Sequence, residues 1–418
     1  MTNLNDRNVT DEKYGDPSFK IVQSACIPIL SFFTGAGFLD LGFRQSGFKA
    51  IWHNEYSAAF VSGFEHGMAS LGLSNESARI QATQSILEVS SEEIIRSAFK
   101  DGAIPECFGV IGGPPCPDFS VGGKNRGSKG ENGHLTEVFT NRILEIRPSF
   151  FLLENVPGLL RTSKHREFLA SIMEHLGTEF FLDLRILNAL EYGVPQDRER
   201  IFLFGLNRRW MKRKSSENLP TQDVKRLISK AHSSNRTQGG PLDSFWFPWE
   251  HRKLYWKPKN SFVWPDTDPF GSTPDRPSAP IELMVGPLLL DSEATAMLPN
   301  GMDCFVPYSA KFHEIPEGDV SGKSFKRLHR WRFSPAAAYG NNEVHLHPTE
   351  ARRINVREAM RIQTVPDAYS LPSSMPLSAK FKTVANGVPV KLASAVASSI
   401  RLVLDGVENG TLKITSDE

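Results

Sequence analysis

The chain has 418 residues, of which 48 are basic, 47 are acidic and 40% are hydrophobic, the composition of an ordinary soluble globular protein with room for two domains. No apolar run reaches the roughly 20 residues of a membrane-spanning helix, and the polar N-terminal segment lacks the apolar core of a secretion signal, so we expect a cytoplasmic protein. The cysteines are few and far apart and form no Cys-x-x-Cys pair, which argues against a metal site and a disulfide framework.

The first half of the sequence alternates apolar, β-prone runs with amphipathic segments, which is the pattern of a parallel sheet covered by helices. We therefore predict a doubly wound α/β domain. Its predicted strands are Ile27–Phe33, Phe108–Ile111, Phe150–Leu153 and Ile201–Phe204, and its predicted helices include Ser90–Phe99 and Lys164–Leu176. In open sheets of this kind, ligands bind outside the carboxyl ends of the strands, so the residues that follow the strands are candidates for a site.

The first predicted strand runs into a turn that contains Gly35 and Gly37, where the backbone can approach a ligand closely and the next helix presents free N–H groups. Glu55 follows about 20 residues later, where a nucleoside site places a carboxylate on the ribose hydroxyls, and Tyr56 offers a flat ring for an adenine. Asp40 stands where a dinucleotide fingerprint has its third glycine, so an adenosyl ligand without a pyrophosphate fits better than NAD. A tight structural turn is the alternative explanation.

The second predicted strand ends in a stiff turn, Gly112–Cys116, whose glycines and prolines deliver one thiol to the edge of the sheet. A lone cysteine is most often a small buried hydrophobe. Here, however, the neighbouring prolines are unsuited to a core, and the glycine-rich Gly122–Gly133 follows like a mobile lid. We therefore interpret Cys116 as a reactive thiol.

Charged side chains accompany the third and fourth predicted strands. Glu154 follows an apolar run, so its carboxyl would be partly desolvated, which raises its pKa and suits it to donate a proton; a helix cap is the alternative. The fourth strand is entered through Gln196–Arg200. Arg198 and Arg200 stand at alternate positions of an extended segment, so both can address one anion or carbonyl oxygen, unless they form a surface ion-pair ladder.

The amino-acid composition changes after Leu206. From about residue 207 to residue 345, prolines, tryptophans and short charged clusters predominate, which indicates a separate, irregular module. The basic runs Arg208–Arg213 and Lys323–Arg332 contain aromatic residues, a composition that suits phosphate contacts and base stacking as well as an ordinary solvated surface. An arginine-rich helix is predicted over Thr349–Gln363, and an apolar helix over Leu392–Leu404.

Together and in this order, these motifs resemble those of the DNA (cytosine-5) methyltransferases. The similar segments are Phe33–Gly37 for the cofactor loop, Pro115-Cys116 for the nucleophile, Glu154–Val156 for the acid, Gln196–Arg200 for the paired arginines, Arg353–Gln363 for the helix that organises the recognition domain, and Asn386–Pro389 for the closing motif that folds back onto the cofactor site. The chain departs from the family in places. Pro117 replaces the usual Gln after the catalytic Cys, Ser85 is a poor substitute for the usual Asp at the adenine amino group, and Thr383 and Ala385 replace the more common Gln and Gly.

The resemblance implies a Rossmann-like, S-adenosylmethionine-dependent methyltransferase domain at 27–206, completed by 366–418, after a polar tail at 1–26. It also implies an irregular, β-rich target-recognition domain that includes the organising helix, at 207–365. In this reading Cys116 adds to C6 of a cytosine flipped out of double-stranded DNA. The implied residues are Glu154, Arg198 and Arg200 in catalysis; Phe33, Gly35, Gly37, Glu55, Tyr56, Pro115, Asn386 and Gly387 at the cofactor; and Lys124, Arg126, Gln196 and Arg353 at the DNA.

A stand-alone enzyme of this length resembles a bacterial restriction–modification methylase, a monomer whose cognate endonuclease acts on the same site without a stable complex. Three alternatives remain at this point. A tRNA cytosine-5 methyltransferase uses the same motifs, although the long module after Leu206 fits DNA better. A catalytically silent DNA-binding protein would not need the intact set of Cys116, Glu154 and the two arginines, and a nicotinamide oxidoreductase would need the missing third glycine.

Overall fold

The computed structural model describes residues 26–73, 79–100, 102–115, 131–214, 222–234, 246–322, 324–336, 339 and 343–412. The strands of the first half are β1 Ile27–Phe32, β2 Phe48–Asn54, β3 Gly109–Gly112, β4 Phe150–Asn155, β5 Phe180–Asn188, β6 Gln196–Asp197 and β7 Glu199–Asn207. Six of them form one sheet in the order β2-β1-β3-β4-β7-β5. The predicted α/β fold is confirmed, and each of the four predicted strands lies in this sheet.

The sheet is mixed, so the prediction of a parallel sheet was wrong at one edge. Strands β2, β1, β3 and β4 are parallel, whereas β7 runs antiparallel to both β4 and β5. A short segment, 189–198, joins β5 to β7, and antiparallel neighbours accept such a connection, while parallel strands need a crossover of a dozen or more residues. Because of the reversal, the residues that enter β7 lie at the same edge as the residues that leave β4.

Helices cover both faces of the sheet. Their bounds are α1 Phe38–Gln45, α2 Ala58–Ser70, α3 Ser91–Ala98, α4 Glu131–Ile146, α5 Ser163–Gly177, α6 Arg208–Lys214 and α7 Val224–Ser234. Apolar residues of α3, α4, α5 and α7 pack on one face. Residues of α1, of α6 and of the C-terminal helix pack on the other. Two-sided burial accounts for the nearly continuous apolar runs that made four of the strands recognisable.

The aromatic segment 246–249 packs on the second face of the sheet. The Phe247 ring lies 4.3 Å from the rings of both Phe204 and Trp249, and the Trp246 indole N–H donates to the Leu182 carbonyl. Trp210 of α6 is buried in the same cluster. These contacts favour a recognition domain that begins later in the chain than residue 207, and the exact domain boundaries stay predictions.

The module that follows is irregular, as its composition indicates. Its elements are short: α8 Pro258–Ser261, α9 Gly286–Leu289, α10 Ser292–Ala296, α11 Lys311–Glu314, β8 Phe325–Arg327, β9 Ser334–Pro335 and β10 Val344–Leu346. Charged side chains stabilise the module from within. The guanidinium group of the fully buried Arg327 donates to several backbone carbonyls, and Arg330 pairs with the buried Glu317 at 2.7 Å. Strand β9 pairs with β6, which fastens the module beside the entry to β7.

Three helices complete the chain: α12 Val356–Ile362, α13 Leu377–Asn386 and α14 Val390–Glu408. The predicted arginine-rich helix starts seven positions later than expected, because Asn355 and Glu358 form a capping box that fixes the first turn at Val356. Among the described residues, the stretch Leu377–Glu408 is long and apolar enough to cross a membrane, but 67% of its most apolar window is buried inside the protein, as in a core helix.

Candidate active site

The strand register aligns the residues that leave the sheet at one edge. Phe32 of β1 pairs with both Asn54 of β2 and Gly112 of β3, and Gly112 pairs with Leu153 of β4. The residues that follow, Phe33, Glu55, Gly113 and Glu154, therefore stand in one row. Predicted cofactor and catalytic residues thus share a single edge, as expected for the carboxyl ends of parallel strands.

The loop after β1 has an unusual backbone. Phe33, Gly35 and Gly37 all have positive φ angles, of 52°, 58° and 75°. A side chain at Gly37 would collide with Phe64 and Met68, whereas a Cβ atom at Gly35 would meet nothing within 4 Å. A non-glycine residue at positive φ is a strained conformation that accumulates at functional sites. The loop is packed against α2 at Gly37 and is open for a ligand at Gly35.

Glu55 holds this loop from the neighbouring strand. Its buried carboxylate accepts the Gly35 N–H at 2.9 Å and the Ser57 N–H at 2.8 Å. Burial raises the pKa of Glu55, and these backbone donors act in the opposite direction. A carboxylate has about four acceptor positions, so these backbone donors leave capacity for a ligand hydroxyl. Tyr56 is 74% exposed and lines an open pocket with Ser62 and Thr83.

Glu154 and Arg200 form a largely buried ion pair. The Glu154 Oε1 and Arg200 Nε atoms are 2.9 Å apart, and burial raises the pKa of Glu154 while the guanidinium groups of Arg200 and Arg198 act in the opposite direction. A Cβ atom at Gly113 would lie 2.7 Å from Glu154 Oε2. The carboxylate therefore touches the backbone of the turn that leads to Cys116. The Asn155 amide also donates to the Pro114 carbonyl of that turn, at 3.4 Å.

Arg198 has different partners from Arg200. Its fully buried guanidinium donates to the carbonyls of Ala385 and Gly387, at 2.6 and 2.9 Å. Gly387 in turn lies against the Phe38 ring. A Cβ atom added to Gly387 would lie only 2.2 Å from the Cδ2 atom of that ring. The closing motif thus packs on Phe38, the residue that follows Gly37, and its predicted place at the cofactor stays a prediction. The expectation that both arginines address one oxygen has no support in this geometry, since Arg198 is engaged by the backbone of the closing motif.

Comparison with known proteins identifies the family. The family model for C-5 cytosine-specific DNA methylase matches residues 27–402. The chain is 36% identical over 383 residues to the Type II methyltransferase M.NmeDI of Neisseria meningitidis serogroup C, and the match covers 90% of this chain and 84% of that protein. It is 28% identical to M.MthTI of Methanothermobacter thermautotrophicus, over 91% of this chain and 99% of that protein.

The chain belongs to the C-5 cytosine-specific DNA methylases. It is therefore a DNA (cytosine-5) methyltransferase of the restriction–modification type. Solved structures agree at the level of the fold. A crystal structure described as a prophage-encoded DNA modification methyltransferase of E. coli matches with a TM-score of 0.54 at 17% identity, covering 91% of this chain and 99% of that one. The S. pombe Dnmt2 methyltransferase matches with a TM-score of 0.52 at 11% identity, over 91% and 99%.

Several predicted residues of this methyltransferase lie outside the described residues. Cys116, Lys124 and Arg126 are among them, as is Pro117, so their roles stay predictions. Pro115, the last described residue of the turn, is partly buried. Asn386 is exposed at the end of α13, next to the contact between Gly387 and Phe38.

The two described residues predicted to bind DNA differ in exposure. Gln196 is fully buried, and neither atom of its amide has a hydrogen-bond partner among the described residues, so its role at the DNA stays a prediction. Its strand, β6, pairs with β9 from the irregular module, a contact that the sequence does not indicate. Arg353 is partly exposed, donates to the Tyr308 hydroxyl at 2.9 Å and lies over the Phe305 ring.

Two supporting residues were missed by sequence reasoning. The Tyr369 hydroxyl donates to the Ala36 carbonyl in the cofactor loop, and Asp40 faces His53 beneath the same loop. Tyr369 is separated from Ala36 by 333 positions, so no local pattern could indicate this contact. For Asp40 a signal did exist, because an aspartate inside an otherwise apolar helix face is expected to have a buried partner.

Proposed function

We propose that this enzyme transfers a methyl group from S-adenosylmethionine to C5 of one cytosine within a specific double-stranded DNA site, by base flipping and covalent addition of Cys116 to C6. The observation that carries the proposal is the Glu154–Arg200 pair, which touches Gly113 three residues before the thiol. An acid and a cation beside the turn that carries a nucleophile are the groups that this chemistry requires.

Each of these residues has a separate role in the reaction. Cytosine C5 is a poor nucleophile, and attack of the Cys116 thiolate on C6 makes it an enamine carbon. Glu154, whose pKa burial raises, protonates or hydrogen-bonds to N3, and Arg200 offsets the negative charge that develops at O2. After methyl transfer, loss of the C5 proton and expulsion of the thiolate restore the enzyme. Arg198 acts as a positioning residue, since it binds the closing motif.

The row of residues at the sheet edge fits an adenosyl cofactor. S-adenosylmethionine supplies an electrophilic methyl group when it is bound. Gly35 offers an open approach to the backbone, Glu55 has acceptor capacity for ribose hydroxyls, and the exposed Tyr56 ring offers a face for adenine stacking. Phe33, Gly37, Pro115, Asn386 and Gly387 complete the proposed cofactor site.

The proposed DNA contacts come from two parts of the chain. Lys124 and Arg126 precede α4 and would close over the flipped nucleotide and its phosphates, and Arg353 would bind a phosphate from the recognition side. Extrusion of the base costs a few kcal/mol in stacking and pairing, which these contacts must offset. We further propose a cytoplasmic monomer that protects host DNA from a cognate restriction endonuclease without a stable complex between the two.

The proposal is tested with the Cys116→Ser variant on duplex DNA. We expect no detectable methylation by bisulfite sequencing, while DNA binding stays measurable, because a serine hydroxyl is far less ionised than a thiol. Cys107→Ser is the matched control and should keep activity, because burial raises the pKa of the Cys107 thiol to about 12 and makes it unreactive. Near-normal turnover of Cys116→Ser would refute the covalent mechanism, and methyl incorporation into tRNA alone would refute the DNA substrate.

A further inference from the structure

Asn54, the last residue of β2, is buried at the edge of the sheet that carries the proposed cofactor site. Its side-chain amide donates to the Ala82 carbonyl at 2.9 Å and to the Gln84 carbonyl at 3.0 Å. Its own backbone carbonyl accepts the Thr34 N–H of the cofactor loop at 3.0 Å. One residue therefore connects three segments around the site, and none of the roles assigned above uses its side chain.

The segment that follows Ala82 continues the row of residues at this edge. Asn54 and Ala82 pair as in a parallel ladder, and the Glu55 N–H donates to the Ala82 carbonyl at 3.1 Å. Thr83 therefore stands beside Glu55, the proposed acceptor for the ribose hydroxyls. Thr83 also lines the open pocket that Tyr56 lines. The Tyr56 ring and the segment that contains Thr83 thus border the same space.

The amide of Asn54 holds this segment beyond the point that the backbone pairing reaches. Thr83 and Gln84 are exposed, whereas Ala82 and Ile86 on either side are buried in the core. Apolar contacts therefore fix the two ends of the exposed stretch, and the bond from Asn54 to Gln84 fixes its middle. A primary amide has two N–H donors, and both are used here, whereas an ionised aspartate of the same shape has none.

We propose that Asn54 is a positioning residue that holds the segment Thr83–Ser85 beside Tyr56, so that the segment and the ring together bind the adenine of the cofactor. The inference rests on the cofactor site proposed above. A segment that is fixed before the ligand arrives binds it more tightly, because less conformational freedom is lost on binding. Without the amide, the segment separates from β2 after Ala82, which loosens the adenine end of the site and leaves the reacting groups at Glu154 in place.

The test compares Asn54→Ala and Asn54→Asp with the wild type in the full-length enzyme. We expect Asn54→Ala to raise the KM for S-adenosylmethionine about tenfold, because two buried hydrogen bonds are lost, with kcat within about twofold of wild type. Asn54→Asp keeps the shape but not the donors, so its KM should rise at least as much. A wild-type KM in Asn54→Ala would overturn the proposal, and a wild-type KM in Asn54→Asp would show that the donors are not needed.

Fragments of the cofactor show which end of the site is affected. Adenosine carries the adenine and the ribose, and free adenine lacks the ribose, so both are used as competitive inhibitors against S-adenosylmethionine. Asn54→Ala should raise both inhibition constants by about the same factor as the KM. An unchanged constant for adenosine would place the effect at the methionine end and contradict the proposal. An unchanged constant for adenine alone would assign the effect to the ribose contact of Glu55 and contradict it as well.

Asn207→Ala is the matched control. The buried Asn207 side chain also makes two hydrogen bonds, accepting the N–H groups of Arg209 and Trp210 at 3.0 Å each, but Asn207 ends β7 at the opposite edge of the sheet. This variant should lower the melting temperature about as much as Asn54→Ala and leave the KM and both inhibition constants unchanged. A rise in KM as large as that of Asn54→Ala would reduce the effect to a general loss of stability and overturn the specific role of Asn54.

Binding of S-adenosylmethionine by the wild type separates this inference from the proposed function. Failure of the wild type to bind it at all would refute the proposed cofactor itself. That outcome is distinct from wild-type binding that Asn54→Ala leaves unchanged, which would overturn only the role of Asn54.

Discussion

Gly113 is the residue at which the nucleophile turn and the catalytic acid touch. An added Cβ atom would lie 2.7 Å from Glu154 Oε2, closer than real Cβ contacts, so Gly113→Ala must push the carboxylate away from its position. A displacement of about 1 Å at a catalytic group lowers rate by about 100-fold. We expect kcat for DNA methylation to fall by about that factor, with little change in the melting temperature.

Gly177→Ala, at the end of α5, is the control for this prediction. Its added Cβ atom would make only an ordinary contact with Leu182, at 3.9 Å, so kcat should not change. If Gly113→Ala retained the wild-type kcat, Glu154 would have to tolerate the shift, and its proposed proton transfer would be in doubt.

For single residues, the sequence indicated the charged side chains of the site but not the atoms that they contact. Glu154 was recognisable because a carboxylate after an apolar strand is a conspicuous pattern, and the structure indeed buries it. The different partners of Arg198 and Arg200 were not predictable, because the carbonyls that accept from Arg198 lie 187 and 189 positions away along the chain. The burial of Gln196 was not predictable for the same reason, since the strand that pairs with its own strand comes from the recognition module.

At the scale of elements, Arg198 directly precedes β7 and connects the start of that strand to the end of α13. Arg198→Lys keeps the charge but loses the planar fork that reaches both Ala385 and Gly387. Loss of a charge-assisted hydrogen bond costs about 1.5–3 kcal/mol, so the closing motif should pack less firmly on Phe38 and the KM for S-adenosylmethionine should rise about tenfold or more. Arg200→Lys should instead lower kcat, because Arg200 pairs with Glu154. Steady-state kinetics distinguish the two, and identical effects of both substitutions would contradict separate roles.

The elements themselves were predictable where burial is two-sided and apolar. Strands β2 and β5 were missed because each contains charged or polar residues that the fold buries: His53 in β2, and Asp183 and Arg185 in β5. The antiparallel direction of β7 was not predictable from its own residues, since direction depends on the length of the preceding connection. The arginine-rich helix was predicted too long, although Asn355 followed three positions later by Glu358 is a capping-box pattern that marks its start.

At the level of the whole molecule, the domain to which residues 246–249 belong decides which segments stabilise the catalytic sheet. Sequence texture places residues 246–249 in the recognition module, but Phe247 is 1% exposed between Phe204 and Trp249, on a face of the sheet. If the segment belongs to the catalytic domain, Phe247→Ala should lower the stability of that domain by about 3–5 kcal/mol, the cost of truncating a buried phenylalanine.

Urea unfolding followed through the loss of S-adenosylmethionine binding reports on the catalytic domain, which matters because a chain of this size need not unfold in one step. Trp256→Ala is the control, since Trp256 is 45% exposed and mainly contacts Lys253, so its removal should cost about 1 kcal/mol or less. If the urea midpoint of Phe247→Ala equalled that of the wild type, the segment would belong to the recognition domain. A clearly lower midpoint would move the start of that domain beyond Trp249, so that a transplant of target specificity should leave residues 246–249 in place.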